Sequence, residues 1–335
     1  MGAIYFRRIE LVSTLNELVG YKAGVALTRE QMQGFIKSDG PNILAGNDNA
    51  SLRVRSEEFE EIFCRLLYEV GSIKSPDFMP SIYGLYRRFE KDQQLLPVYL
   101  KVQEFFNRFC EESFNTDPGP IDLTKFVEQA KNFHGIKGQA VALIIAQCVV
   151  EDMHKSSLGA FRQIQWNDTV GLAELFNSEK LSTHHGEFFD QRFLDYLSHN
   201  FDSIDKINWR KFEGLTCEFF HRAGLKVEIG RGRNDDSVDA RIWANKDEAK
   251  QPPLILVQCK RQKDTVEKVV VKALHSDVVY EKAMLGMVVT SSALSPGAKK
   301  TCVARSYPIV EANRDTLKKW INAMRTPSSG IFLGE

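Results

Sequence analysis

Asp239, Gln258 and Lys260 are the residues whose types and spacing could do chemistry together. Gln258 and Lys260 are two apart in Leu254-Ile255-Leu256-Val257-Gln258-Cys259-Lys260-Arg261, so on a β-strand their side chains share one face. The four apolar residues before them are those of a strand buried on both sides. Asp239 follows Val238 and precedes a second strand-like run, Ala240-Arg241-Ile242-Trp243. An acid, an amide oxygen and a lysine converging at strand ends form a site for one divalent cation and one activated water. By themselves the same three residues favour a buried Asp–Lys ion pair in a structural sheet.

More of the pattern surrounds them. Phe212-Glu213 opens a helical stretch, Asp235 to Asp239 forms an acidic turn, and Met287-Val288-Val289-Thr290 is a further strand. In this order, with Gln258-Cys259-Lys260 as a Q-x-K signature, the pieces resemble the PD-(D/E)XK nuclease superfamily. Within it they are similar to the Mrr-like restriction endonuclease catalytic domain, over roughly Trp209 to Met324. One departure is visible: members usually have glycines between the two acids, where this chain has Ser237-Val238. The resemblance implies a metal-dependent endonuclease hydrolysing DNA phosphodiester bonds, in restriction or defence against foreign DNA. The alternative is a catalytically inactive nuclease fold that binds nucleic acid or regulates.

Phosphodiester hydrolysis needs an in-line water, neutralised phosphate charge and a stabilised leaving oxygen. Mg²⁺ (or Mn²⁺) takes oxygen ligands. Asp239 would supply a carboxylate, Gln258 its amide oxygen and Cys259 its main-chain carbonyl. Lys260 would orient the attacking water and offset phosphate charge. Glu213, on the preceding helix, is expected to complete the shell directly or through a water. Glu218 is five residues further along that helix, on a different face, and is left out. Arg231, Arg233, Arg261 and Lys263 lie just beyond the strand ends and are the candidate DNA phosphate contacts.

Charge divides the chain unevenly. From residue 203 onward there are 23 Lys and Arg against 16 Asp and Glu, so that part is +7 and the rest is −7, although the whole is neutral. A basic C-terminal part suggests a polyanion partner for that part alone. The six cysteines form no C-x-x-C pair, which removes zinc ribbons and dithiol redox motifs from consideration and fits a reducing cytoplasm. No Walker A spacing occurs, which argues against a built-in ATP-driven translocase. The first residues lack the apolar core of a secretory signal, and the longest apolar run, Ala140 to Ala146, is too short to span a bilayer. No membrane partner is expected.

The elements that must hold the site follow from periodicity. From Trp209 the order reads helix, three strands, helix, strand, helix, short strand, helix: an α/β mixed sheet flanked by helices. Residues 1–202 read as mainly helical. Ser56 to Val70 is amphipathic and stopped by Gly71; Pro97 opens another helix carrying Phe105, Phe106 and Phe109. Asp122 caps a third, and Lys137 to Met153 forms a fourth. Phe188 to Leu197 is a helix expected to pack against the nuclease-like part. His184-His185 read as a solvated loop, and His134 and His154 as caps or surface residues. The expected domains are 1–202, for regulation, recognition or oligomerisation, and 203–335, the nuclease. Cutting both strands with one site per chain favours a homo-oligomer, a dimer or higher, and the helical part is the place for a protein trigger.

Overall fold

The computed structural model describes residues 2–36, 42–116, 121–232, 238–245 and 251–325. In chain order its first elements are β1 (Ala3–Arg7), α1 (Arg8–Ala23), β2 (Val25–Ala26), α2 (Arg29–Phe35), β3 (Ser51–Arg55) and α3 (Ser56–Glu69). Then come α4 (Leu85–Phe89), α5 (Leu96–Thr116), α6 (Leu123–Lys155), β4 (Val170–Gly171), α7 (Glu174–Asn177) and α8 (Gln191–His199). The last part holds α9 (Trp209–Arg222), β5 (Lys226–Ile229), β6 (Ala240–Trp243), β7 (Ile255–Lys260), α10 (Lys268–Glu281), β8 (Leu285–Thr290), α11 (Pro296–Ala304), β9 (Ile309–Ala312) and α12 (Arg314–Met324). A mostly helical region therefore precedes a mixed sheet flanked by helices.

The chain forms two compact units. One comprises Met1–Lys22, Phe35–Tyr68 and Ile73–Gln165; the other comprises Ala23–Gly34, Glu69–Ser72 and Trp166–Glu335. In the first, α5 and α6 enclose an aromatic core of Phe106, Phe109 and Phe126 with Val102, Ala142 and Ile145. The Asp122 side chain accepts the Thr124 and Lys125 amides and so starts α6. Length and composition alone would pass this 33-residue helix as a membrane span. Gly135, at φ 68° and ψ −163°, breaks it into two segments, matching the two helices expected on either side of that glycine.

Two features of this unit differ from expectation. β1 and β3 pair antiparallel, from Ala3 opposite Arg55 to Arg7 opposite Ser51, in a part where no strand was singled out. His154 is 1% exposed, not at the surface: its Nδ1 accepts the Gln163 amide at 3.2 Å. Burial, helped by the neighbouring Lys22 charge, pushes its imidazole down to about 4.

The second unit carries the five-stranded sheet in the order β5-β6-β7-β8-β9. β5–β6 and β6–β7 are antiparallel, while β7–β8 and β8–β9 are parallel. β7 is central, and Leu256 and Val257 are fully buried on its two faces. Leu256 packs with Val288 of β8 and with Val271, Leu274 and Val278 of α10. α9 lies along β5 and β6, and α12 packs on α9 and α8. The Phe219 ring stacks on Trp320 at 4.1 Å between centroids. Helix α8 starts at Gln191, later than the Phe188 expected, because Asp190 takes the N-cap and accepts the Arg192 amide.

Candidate active site at the end of the central strand

The register of the sheet brings the separated residues together. β6 and β7 pair Ala240 with Val257, and the Asp239 amide donates to the Val257 carbonyl at 2.8 Å. Continuing that register by one residue sets Asp239 opposite Gln258. The Cys259 amide donates to Asp239 Oδ2 at 2.6 Å, a short charge-assisted bond that fixes the carboxylate against β7.

Gln258 is 3% exposed, and its Oε1 is buried without a hydrogen-bond partner. A buried amide oxygen left unpaired costs about 1–3 kcal/mol. Such an oxygen, on the residue opposite Asp239, is a ready ligand for a hard cation. Among the described residues no three His, Cys, Asp or Glu side chains come together. A cation here would therefore rest on one carboxylate with amide and carbonyl oxygens, and this donor set fits magnesium or manganese.

Lys260 lies two residues beyond Gln258, opposite Thr290 of β8. The Thr290 hydroxyl donates to the Lys260 carbonyl at 2.8 Å. Just beyond, the Ser291 hydroxyl donates to the Gln262 carbonyl at 2.9 Å and accepts the Gln262 amide at 3.0 Å. This is the physical reason a threonine ends the β8 strand: it pins the end of β7 from which Lys260 projects. Cys259, between them, turns to the other face, where its Sγ lies 3.6 Å from Thr216 Oγ1 of α9. Burial first, then the Asp239 charge, push the Cys259 thiol far up, so it is no nucleophile.

Glu213, expected to complete the metal shell directly or through a water, pairs with an arginine of its own helix. It is 6% exposed, and its Oε2 accepts Nη1 of Arg210, three residues earlier on α9, at 2.7 Å. Glu218, on another face of the same helix, caps a loop. Its Oε2 accepts the Glu187, Phe188 and Phe189 amides at 2.7–3.2 Å, and its Oε1 accepts Arg222.

Of the expected phosphate contacts, Arg231 is exposed at the end of β5. Arg261 Nη1 reaches the Asp205 carbonyl at 3.2 Å, and the Lys263 ammonium, 79% exposed, stands 3.9 Å from the Asp205 carboxylate. Arg233, with Asp235, lies outside the described residues. His185 is half-buried against Trp166, 4.8 Å between ring centroids, where a solvated loop was expected.

Residues 204–321 match the Mrr catalytic-domain family model, described as restriction endonuclease. This part is an Mrr-like nuclease domain. Among solved structures, MspJI restriction endonuclease in complex with a 27-mer oligonucleotide is similar at 16% identity, with a TM-score of 0.27. The match covers 53% of this chain and 45% of that one, and a likeness at this score carries no argument. No curated protein matches the chain. The Mrr-like domain has a restriction-endonuclease-like nuclease fold, and continuing the register of its central strands by one residue sets Asp239 opposite Gln258, two residues before Lys260.

Proposed function

We propose that this chain is a divalent-metal-dependent endodeoxyribonuclease whose site is Asp239, Gln258, the Cys259 carbonyl and Lys260. One observation carries the reading. Gln258 Oε1 is buried and unpaired on the residue opposite Asp239, whose carboxylate is held by the Cys259 amide at 2.6 Å. A structural sheet has no reason to keep such an oxygen unpaired at its centre. Mg²⁺ or Mn²⁺ bound there would supply Lewis-acid stabilisation of the phosphate and an acidified water. Asp239 then serves as the fixed carboxylate, with its orientation set before substrate arrives. Lys260, projecting from a strand end pinned by Thr290, orients the attacking water and offsets charge on the phosphate.

Arg231, Arg261 and Lys263 are the phosphate contacts in this reading, and the +7 charge of residues 203–335 draws the duplex to that part. Residues 1–202 serve regulation, recognition or oligomerisation and take a protein trigger. A dimer or higher assembly supplies the second site needed for a double-strand cut. The setting is cytoplasmic restriction or defence against foreign DNA. Incubation of the full chain with supercoiled plasmid, linear duplex and RNA, each with Mg²⁺, Mn²⁺ or chelator, tests the proposal. Metal-dependent nicking or linearisation of DNA is expected. Binding of DNA without cleavage under either metal would leave a nuclease fold used only for binding.

A further inference from the structure

We infer that Arg210 is the positioning residue for Asp239, and that Glu213 acts through Arg210 instead of on the cation. The inference rests on the nuclease reading of the Asp239 site. Arg210 and Glu213 stand three residues apart near the start of α9, their side chains only 14% and 7% exposed. From that pair a hydrogen-bonded path runs to the main chain of Asp239. Arg210 Nη2 donates to the Gly230 carbonyl at 2.7 Å, and the Gly230 amide donates to the Asp239 carbonyl at 2.8 Å. The Asp239 amide in turn donates to Val257, and the Asp239 carboxylate receives the Cys259 amide. One guanidinium thus ties the leading helix to the strand end beside Asp239.

The chain around that carbonyl is built to close on Arg210. β5 is a four-residue edge strand, and edge strands have a ladder on one side only. Gly232, two residues past Gly230, has φ +88°, and a Cβ there would stand 3.1 Å from Trp209 and 3.2 Å from Arg210 Nη1. Only glycine lets the backbone come this near the guanidinium. Cys217, one turn after Glu213, reports the same convergence. Its thiol is pushed up by burial first and by Glu213 next, with Arg210 opposing and Asp239 adding. A buried Arg–Glu pair contributes little net stability. Holding a carboxylate-bearing strand end at fixed height is the use this geometry shows. Arg210 meets it with a planar fork that bonds Glu213 and Gly230 at once, which a lysine cannot do.

The test compares full-length wild type with Arg210→Met, Arg210→Lys and Glu213→Gln. It reads hydrogen exchange across residues 226–243 and affinity for Mn²⁺ alone, measured by titration without DNA. Arg210→Met should speed exchange at Gly230 and its neighbours while β7 and β8 keep their protection. It should weaken Mn²⁺ binding roughly tenfold or more, as loss of a ligand-orienting partner does. Arg210→Lys should behave like Arg210→Met, because it keeps the charge and loses the fork. Glu213→Gln, still able to accept from Arg210, should lose less Mn²⁺ affinity than either. A larger Mn²⁺ loss in Glu213→Gln than in Arg210→Met would put Glu213 on the cation and overturn the inference. Unchanged exchange in both Arg210 variants would also overturn it. If Arg210→Met does not fold, Arg210→Lys and Glu213→Gln make the same comparison. If wild type binds no Mn²⁺ at all, the nuclease reading fails, and the exchange arm still decides whether Arg210 holds the strand end.

Discussion

Gln258→Met separates a functional glutamine from a structural one. Gln258 is 3% exposed on the central strand, and its Oε1 has no partner. An unpaired buried acceptor costs about 1–3 kcal/mol, which methionine, unbranched and of similar length, would not incur. In chelator, Gln258→Met should therefore be more stable than wild type by roughly 1–2 kcal/mol. For a unit of this size each kcal/mol shifts Tm by about 2–4 °C, so a rise of roughly 2–8 °C is expected. Excess Mn²⁺ should reverse the order. Wild type gains about 2.7 kcal/mol at a hundredfold excess of cation over Kd, while the variant, short of a ligand, gains much less. Thermal melts of both proteins in chelator and in Mn²⁺ measure this. A variant that melts several degrees below wild type in chelator would show that the amide makes a structural bond, and the metal-ligand reading of Gln258 would fail.

Other consequences follow from the same structure. Burial pushes the Asp195 carboxyl from 3.8 up to about 7, with Gln191 donating to its Oδ1 at 3.0 Å. The folded state then holds that proton more tightly than the unfolded chain, so stability from this group is full below pH ~4 and is lost as pH rises through 7. Asp195→Asn should raise Tm at pH 8 and have little effect near pH 4; equal effects at both pH values would contradict the assignment. Arg261→Ala and Lys263→Ala should each weaken DNA binding uniformly across sequences and flatten the log affinity against log salt slope by about 1. Salt-titrated binding that keeps the wild-type slope would remove both from the phosphate interface.

The nuclease-like half was legible because its signals are local. Its strands are short apolar or alternating runs, and its helices are bracketed by markers with a backbone role. Ser295 accepts the Ala298 amide at the start of α11, and Gly224, at φ +86°, follows the end of α9. The two-residue period put Gln258 and Lys260 on one strand face, while the level of Asp239 opposite Gln258 comes from the β6–β7 register, which the sequence does not state. The β1–β3 pair was not readable. Its strands are short and 44 residues apart at their near ends, with half-exposed side chains and no run of buried apolar residues. The Arg210 partner of Glu213 was not foreseen for a different reason. The signal existed, an arginine three residues earlier on the same helix, but the path onward to Gly230 and Asp239 is tertiary. Glu218 likewise serves a loop some thirty residues upstream, which no spacing within α9 reveals.

The central claim is that Asp239 and Lys260 carry the hydrolysis. Single-turnover cleavage of plasmid by full-length wild type, Asp239→Asn and Lys260→Ala in Mg²⁺ tests it most directly. Asp239→Asn keeps an oxygen for the Cys259 amide, so the fold should survive while the carboxylate is lost. Both variants should bind DNA and melt near wild type yet cut on the order of a thousandfold more slowly, about 4 kcal/mol of lost transition-state stabilisation. Cleavage at the wild-type rate by either variant would place the chemistry elsewhere in the chain.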